Sequence, residues 1–254
     1  YFIYLYLLKP LNAFLTQIPW WYTMVVFIII GYVTVGLRFA TITAILLAFI
    51  GATGMWMHSM ITLSSVLVSV LICFVIGVPL GVLASYNKWY RDIQNVVLDA
   101  MQTLPYFCYL IPVLMFFGGN IVSAVIATVI YSVPPIIRLT ALGLSQVSGG
   151  YSEVSKSFGG TGIQTLNKVK FPLAVPSLVM GFNQTVIMAF AMQIVTPLIG
   201  GKGLGLQVFN ALQRSDTGRG LSAGLAIVLL AIIIDRITHA WTKKQRQALG
   251  LDQS

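Results

Sequence analysis

Seven long apolar runs separated by polar breaks of very different length organise this chain, at residues 22–37, 39–57, 60–84, 95–118, 120–137, 173–199 and 220–238. A helix needs about 20 apolar residues to cross the hydrocarbon core of a bilayer, and these runs are near that length. They are continuously apolar rather than alternating, which predicts helices and argues against the short dyad-patterned strands of a β-barrel. Only Arg38 separates the first two runs, so their boundary is the least defined. Before the first run, LNAFLTQIPWW spaces Leu11, Phe14, Leu15 and Ile18 by three and four and ends on Trp20 and Trp21. That spacing predicts an amphipathic helix lying in the headgroup plane on the outer surface; an ordinary lead-in to the first span is the alternative. The opening YFIYLYLL is too short to span and meets Lys9-Pro10 at once, so no cleavable signal peptide is expected. There is no initiator methionine, and residues upstream of Tyr1 are expected. Residues 1–21 are therefore read as an interfacial segment and 22–254 as an all-α integral membrane domain of about seven transmembrane helices.

Composition agrees with the pattern. Of 254 residues, 57% are hydrophobic and 8% charged, with a mean hydropathy of +0.89, whereas soluble domains carry about 25% charged residues. The formal net charge of +9 raises the question of nucleic acid. The basic residues are scattered between apolar runs rather than gathered on one polar face, so they read as topology determinants and lipid-headgroup anchors. Seven spans with the C-terminus inside place Arg38, Lys88, Arg91, Arg138, Lys156, Lys168, Lys170, Arg236, Lys243, Lys244 and Arg246 in the cytoplasm. Lys9, Lys202, Arg214 and Arg219 are then outside, eleven against four. The opposite orientation inverts that count.

The longest polar interruption falls on the inner side. Between Arg138 and Pro172 the chain reads RLTALGLSQVSGGYSEVSKSFGGTGIQTLNKVKFP. Tyr151 to Phe158 is compatible with a short helix that Ser152 can cap, with Glu153 in its first turn. Gly159, Gly160 and Gly162 break it, and Ile163 to Val169 can form a second helix stopped at Pro172, where the next span begins. Helix, glycine turn and helix projecting below a membrane can enter a groove on another protein and transmit a push. The alternative is an amphipathic loop resting on the bilayer through Lys156, Lys168 and Lys170.

Glu153, Gly159, Val169, Phe171 and Pro172 stand at the spacings of E-A-A-x3-G-x9-I-x-L-P, and in this the segment resembles the cytoplasmic coupling loop of membrane subunits of ABC importers. Val154 and Ser155 replace the two alanines. The resemblance extends to MQTLPYFCYLIPVLMFFG (Met101 to Gly118), to TPLIGGKGLGLQVFNALQRSDTGRGLSAGLAIVLLAI and to the closing DRITHAW, which look like permease subunits of the glycine betaine, proline betaine and choline importers. It covers most of the chain from about residue 60 onward. It implies a type I importer permease fold in a bacterial cytoplasmic membrane. It also implies a homodimer of permeases, two ATPase subunits coupled through Glu153, Val154, Ser155, Gly159, Gly160, Val169, Phe171 and Pro172, and a substrate-binding protein outside. No G-x-x-x-x-G-K-[ST] phosphate loop occurs, since Gly200-Gly201-Lys202-Gly203 lacks both the spacing and the hydroxyl residue. ATP and its Mg²⁺ are expected on the partner ATPase, with no cofactor or metal in this chain.

Polar residues within the apolar runs carry the remaining candidates. Asp99 lies a turn or two into the fourth run, where an ion pair with Arg138 or Arg236 competes with a transport role. Pro105 should kink that span, and Pro112, Pro134 and Pro135 repeat the theme. Met101, Gln102, Thr103, Pro105, Gln193 and Thr196 are candidates for the translocation path, with helix–helix packing as the other use of their polar groups. Residues 200–219 read as a partly re-entrant periplasmic loop with a short helix near Leu206–Leu212, in which Lys202, Arg214 and Asp216 are candidate contacts for the binding protein; a purely structural loop is the alternative. Cys73 and Cys108 are expected as buried inert thiols. His58 and His239 are expected as interfacial residues. An aromatic cage for a quaternary amine is expected mainly in the binding protein, with this chain's aromatic residues facing lipid and interface.

Three function classes remain to be weighed. An intramembrane enzyme fails for want of nucleophile–base or metal-ligand pairs. A secondary transporter or channel would be expected to place charges or broken-helix ion sites near the midplane and leaves the loop at 138–172 unexplained. The permease of an ATP-driven osmolyte importer accounts for both the apolar runs and that loop.

Overall fold

The computed structural model describes residues 2–147 and 149–248, with the side chains of Ser152, Lys156 and residues 241–248 outside the description, and it contains only helices and turns among the described residues. A π-helical stretch Ile3–Leu8 runs into α1 (Lys9–Gln17). Then follow α2 (Trp20–Thr34), α3 (Leu37–Ala52), α4 (Trp56–Tyr86), α5 (Lys88–Thr103), α6 (Phe107–Phe117), α7 (Ile121–Ser132) and α8 (Pro134–Gln146). After them come α9 (Gly149–Ser157), α10 (Gly162–Thr165), a π turn Leu166–Lys170 and α11 (Phe171–Met192). A 3₁₀ turn Thr196–Ile199, α12 (Leu204–Arg214) and α13 (Thr217–Ala248) complete the order.

All seven apolar runs are helical, but they differ in kind. Four helices are long and apolar enough to cross a membrane: Trp56–Tyr86, Ile121–Gln146, Gly162–Met192 and Thr217–Ala240. Two more qualify only as bent pairs: Ile3–Gln17 with Trp20–Thr34 at 101°, and Lys88–Thr103 with Phe107–Phe117 at 99°. The helix Leu37–Ala52 is shorter. The expected single kinked span at 95–118 is thus two helices at nearly a right angle. Both breaks fall at a residue preceding proline, Ile18 before Pro19 and Leu104 before Pro105, and the proline ring pushes such a residue toward extended backbone; Ile18 has ψ 136°. The 173–199 run is helical to Met192 and then tightens into the 3₁₀ turn.

The chain forms two compact units. The first comprises Tyr1–Ile72, Leu104–Ser132 and Val186–Ile237. One part of its core joins Leu8, with Leu7 and Leu11, to Val68 and Val125. Leu8 is thus packed into protein, while α1 itself buries no residue and Phe14 stays exposed. Another part gathers Tyr109, Leu110, Val113, Ala127, Met192, Val195 and Ile199. Cys108 is exposed on α6, contrary to expectation, because this short helix is apolar on every side and buries only one of them; Cys73 is buried.

The second unit comprises Cys73–Thr103, Val133–Thr185 and Thr238–Ser254. Its helices approach through small residues: Gly77 and Gly81 of α4 lie against Ile136, Ile137 and Thr140 of α8, and Gly143 of α8 lies against Ala174 and Ser177 of α11. With lipid as solvent there is little hydrophobic drive between helices, so such close backbone approach supplies the packing. Leu144, Ala174 and Leu178 form the core, with Val78, Val82, Leu166 and Phe171 against it.

Candidate functional site

The 138–172 interruption begins as the end of α8 and then folds into a hairpin of α9 and α10. The helix starts at Gly149, so Ser152 lies inside its first turns rather than at a cap, with its side chain outside the described residues. Gly160 N donates to Ser155 O at 2.9 Å across five residues, closing the C-terminus with Gly159 at φ +77°. Only glycine enters that left-handed conformation without strain. Gly160 is required for a different reason: a Cβ there would meet the Oγ of Ser155 at 2.6 Å and its carbonyl oxygen at 2.7 Å.

The second helix is started by a reciprocal cap. Thr161 Oγ accepts from Gln164 N at 3.3 Å, and Gln164 Oε1 accepts from Thr161 N at 2.8 Å. T-G-I-Q fits the capping-box pattern and is legible in the sequence beside the neighbouring glycines. Ser155 Oγ lies 2.8 Å from Thr165 Oγ1, tying the two helices together. The hydroxyl that departs from the alanine of the loop pattern is thus the cross-link of this hairpin. Tyr151, Val154, Phe158 and Ile163 are exposed, Phe158 at 89%. Glu153 is exposed beside them.

Pro172 does not stop the second helix. Gly162–Met192 runs on as one long helix, because the π turn at Leu166–Lys170 absorbs the proline: Phe171 N bonds Leu166 O, five residues back. A widened turn is where the missing amide and ring bulk of a proline can be accommodated. Val169 and Phe171 are half-buried and Pro172 exposed. Lys170 Nζ lies 5.4 Å from the centroid of the Tyr86 ring.

Asp99 is not inside a straight span. It lies on α5, an amphipathic helix, where its Oδ1 accepts from Arg138 Nη2 at 2.7 Å, with the two side chains 63% and 38% exposed. Of the six pathway candidates, Met101, Gln102 and Thr103 end α5 in the second unit, with Gln102 and Thr103 exposed. Pro105 is exposed in the break, in the first unit. Gln193 and Thr196 are buried there, Gln193 Nε2 donating to Thr128 Oγ1 at 3.3 Å and Thr196 Oγ1 to Gln193 O at 3.1 Å.

The loop at 200–219 is ordered by contacts the sequence did not announce. Its helix, expected near 206–212, spans Leu204–Arg214 and buries Leu204, Gly205, Gln207 and Ala211. Thr62 Oγ1 accepts from Leu204 N at 2.8 Å. Gln207 bridges His58 Nδ1 (3.3 Å) and Arg219 Nε (2.9 Å). Asp216 Oδ1 accepts from Arg219 N at 3.0 Å and so caps α13. Lys202 and Arg214 are exposed.

Long apolar helices, a hydrogen-bonded polar hairpin on the end of one of them and a helix-bearing loop fit a multi-pass membrane permease component. The chain belongs to the family described as binding-protein-dependent transport system inner membrane component, whose profile matches residues 77–247. It is 40% identical over 241 residues to the glycine betaine/proline betaine transport system permease protein ProW of Escherichia coli (strain K12), covering 95% of this chain and 68% of that one. It is 39% identical over 229 residues to the glycine betaine transport system permease protein OpuAB of Bacillus subtilis (strain 168), covering 90% and 77%. With the trimethylamine N-oxide transport system permease protein TmoV of Ruegeria pomeroyi it shares 35% identity over 253 residues, 99% of this chain and 38% of that one. The fold is that of the inward-facing MetNI methionine ABC transporter, at TM-score 0.66 and 23% identity over 72% of this chain and 92% of that one.

Proposed function

We propose that this chain is the permease subunit of an ATP-driven importer of a quaternary amine or related osmolyte: glycine betaine, choline, proline betaine, carnitine or trimethylamine N-oxide. The carrying observation is the hairpin, a small hydrogen-bonded element that holds Tyr151, Val154, Phe158 and Ile163 exposed. A cluster of exposed apolar side chains on such an element marks an interaction surface. The substrates for which the relatives are named support the substrate class.

In this reading two ATPase subunits carry ATP and Mg²⁺, and this chain is not an enzyme by itself. Ser155, Gly159 and Gly160 shape the hairpin; Glu153 and Val154 belong to its contact face; Val169, Phe171 and Pro172 join it to the span. A second copy of the chain completes the permease in a bacterial cytoplasmic membrane, with Lys and Arg side chains on lipid headgroups. The basic-residue count puts the hairpin and the C-terminus in the cytoplasm. The loop at 200–219 then faces outward, and Lys202, Arg214 and Asp216 meet the binding protein. Met101, Gln102, Thr103, Pro105, Gln193 and Thr196 line or frame the path. Closure of the ATPase pair on ATP pushes the hairpins and turns an inward-facing path outward; hydrolysis resets it. A ligand that bound both states equally would shift nothing.

The test is uptake into proteoliposomes of the complex, assembled with its ATPase and binding protein, using radiolabelled candidate osmolytes. ATP-dependent accumulation of one of them is expected. Uptake with the ATPase omitted would establish a secondary transporter or channel instead.

A further inference from the structure

Four aromatic side chains of the first unit meet at the bend after Pro105. Tyr106 and Phe107 have ring centroids 4.8 Å apart with planes tilted at 43°. Tyr131 of α7 stands edge-on to Tyr106 (6.3 Å, 87°) and to Tyr109 (6.1 Å, 61°). Tyr109 belongs to the core with Leu110, Met192 and Val195, and Tyr131 packs against the same core. Two rings are thereby held in place, while Tyr106 and Phe107 remain 43% and 49% exposed.

The depth of this group is unusual for tyrosine. Tyr131 lies ten residues into the span Ile121–Gln146, about 15 Å along the helix axis, which is half of a hydrocarbon core about 30 Å thick. Tyrosines of the headgroup belt sit at the ends of spans, where the hydroxyl reaches water. The charge environment is equally particular. Within the three segments of this unit, no Asp or Glu occurs before Asp216. The described acids of the unit are Asp216 and Asp235, and the rings themselves offer a positive group their negative π faces.

We propose that Tyr106, Phe107 and Tyr131 form a binding station for the trimethylammonium group of the substrate inside the permease, a proposal that rests on the quaternary-amine reading above. The N-methyl groups lie against the exposed rings, attracted by their quadrupoles. Each exposed ring contributes roughly two- to five-fold in affinity. Weak binding without a fixed carboxylate is what a pathway requires, because the cargo must leave as readily as it enters. A zwitterion is also spared the pull of an acidic group that would hold a simple cation.

Saturation-transfer NMR tests this directly on the full-length permease in nanodiscs of phosphatidylglycerol and phosphatidylethanolamine, which carry no trimethylammonium headgroup. The probes are glycine betaine and 3,3-dimethylbutanoate, its isostere with carbon in place of the charged nitrogen. The N-methyl protons of betaine should receive saturation and the methyls of the isostere should not. The double substitution Tyr106→Leu with Phe107→Leu should lower the affinity for betaine, and with it the signal, roughly four- to twenty-five-fold. Phe107 replaced by trifluorophenylalanine, which keeps the shape and drains the π face, should also lower it. Equal signals from the two probes, or an unchanged signal in the leucine variant, would overturn the station. Uptake by the assembled importer separates the two readings. Transport that is normal in both wild type and leucine variant overturns the station and leaves the importer standing. A wild-type complex that carries no quaternary amine overturns the importer.

Discussion

Three glycines, Gly159, Gly160 and Gly162, lie at the turn of the hairpin, and each responds to replacement by alanine for a different physical reason. At Gly160 a Cβ would stand 2.6 and 2.7 Å from two atoms of Ser155, one of them backbone. Overpacking of this kind costs about 1–3 kcal/mol. Displacing Ser155 also weakens its bond to Thr165, a further 0.5–1.5 kcal/mol, roughly. A total of about 2 kcal/mol or more moves the ratio of closed to open hairpin by about 30-fold. Gly159→Ala is strained by its φ of +77° and costs about 1–2 kcal/mol. At Gly162 the added methyl would meet nothing within 4 Å, and at the first position of a helix alanine is neutral or favourable by up to about 1 kcal/mol. Hydrogen exchange of residues 149–165 in the reconstituted complex, with uptake and ATP hydrolysis measured in parallel, reads all three. Gly160→Ala and Gly159→Ala should accelerate exchange in the hairpin and lower uptake per ATP hydrolysed, while Gly162→Ala matches wild type. If Gly160→Ala exchanges like wild type, or Gly162→Ala is as impaired as Gly160→Ala, the account of this turn is wrong.

Other substitutions test the remaining contacts. Thr161→Ala removes the reciprocal cap and should destabilise the hairpin by about 0.5–2 kcal/mol, seen as faster exchange at Gln164. Thr62→Val leaves the buried amide of Leu204 without its acceptor, at about 1–3 kcal/mol, and should lower the thermal midpoint in detergent while Ser222→Ala, which removes a solvent-exposed hydrogen bond, does not. Gly205→Ala drives a methyl into the carbonyl of Gln193 and should reduce folded yield more than Gly224→Ala, where a Cβ has open space. Asp99→Asn removes an ion pair whose members are both substantially exposed; such pairs contribute about 0–1 kcal/mol, so uptake and stability should stay near wild type, and a large loss of uptake alone would assign Asp99 a transport role.

Much of this architecture was readable in the chain because lipid offers no hydrogen-bond partners. An apolar run of 20 residues must satisfy its backbone internally and becomes a helix. The hairpin was readable for a related reason: a polar interruption that is too long for a turn, with glycines clustered at its centre, has few ways to fold. Its caps were present in the letters too, in Thr161 and Gln164. The tie between Ser155 and Thr165 was not, since ten residues separate the partners and no local pattern pairs them.

Proline shows where local reading ends. Pro79, Pro112 and Pro176 sit inside helices, and Pro172 is absorbed by a π turn. Pro19 and Pro105 lie at breaks of about 100°. Every one of these rings removes the same amide and adds the same bulk, and neighbouring helices decide whether the freed carbonyl is satisfied in place or the chain turns. The same holds for Gln207, one of many polar letters in a loop until His58 and Arg219 are brought to its two ends, and for Tyr131, an ordinary apolar-run tyrosine until the bend at Pro105 sets Tyr106 beside it. The sequence by itself determined that this chain crosses a membrane in helices and carries a long polar interruption broken by glycines. Which polar and aromatic groups meet inside was decided only by tertiary packing, because those meetings join residues 12 to 149 positions apart and depend on the angles at which helices break.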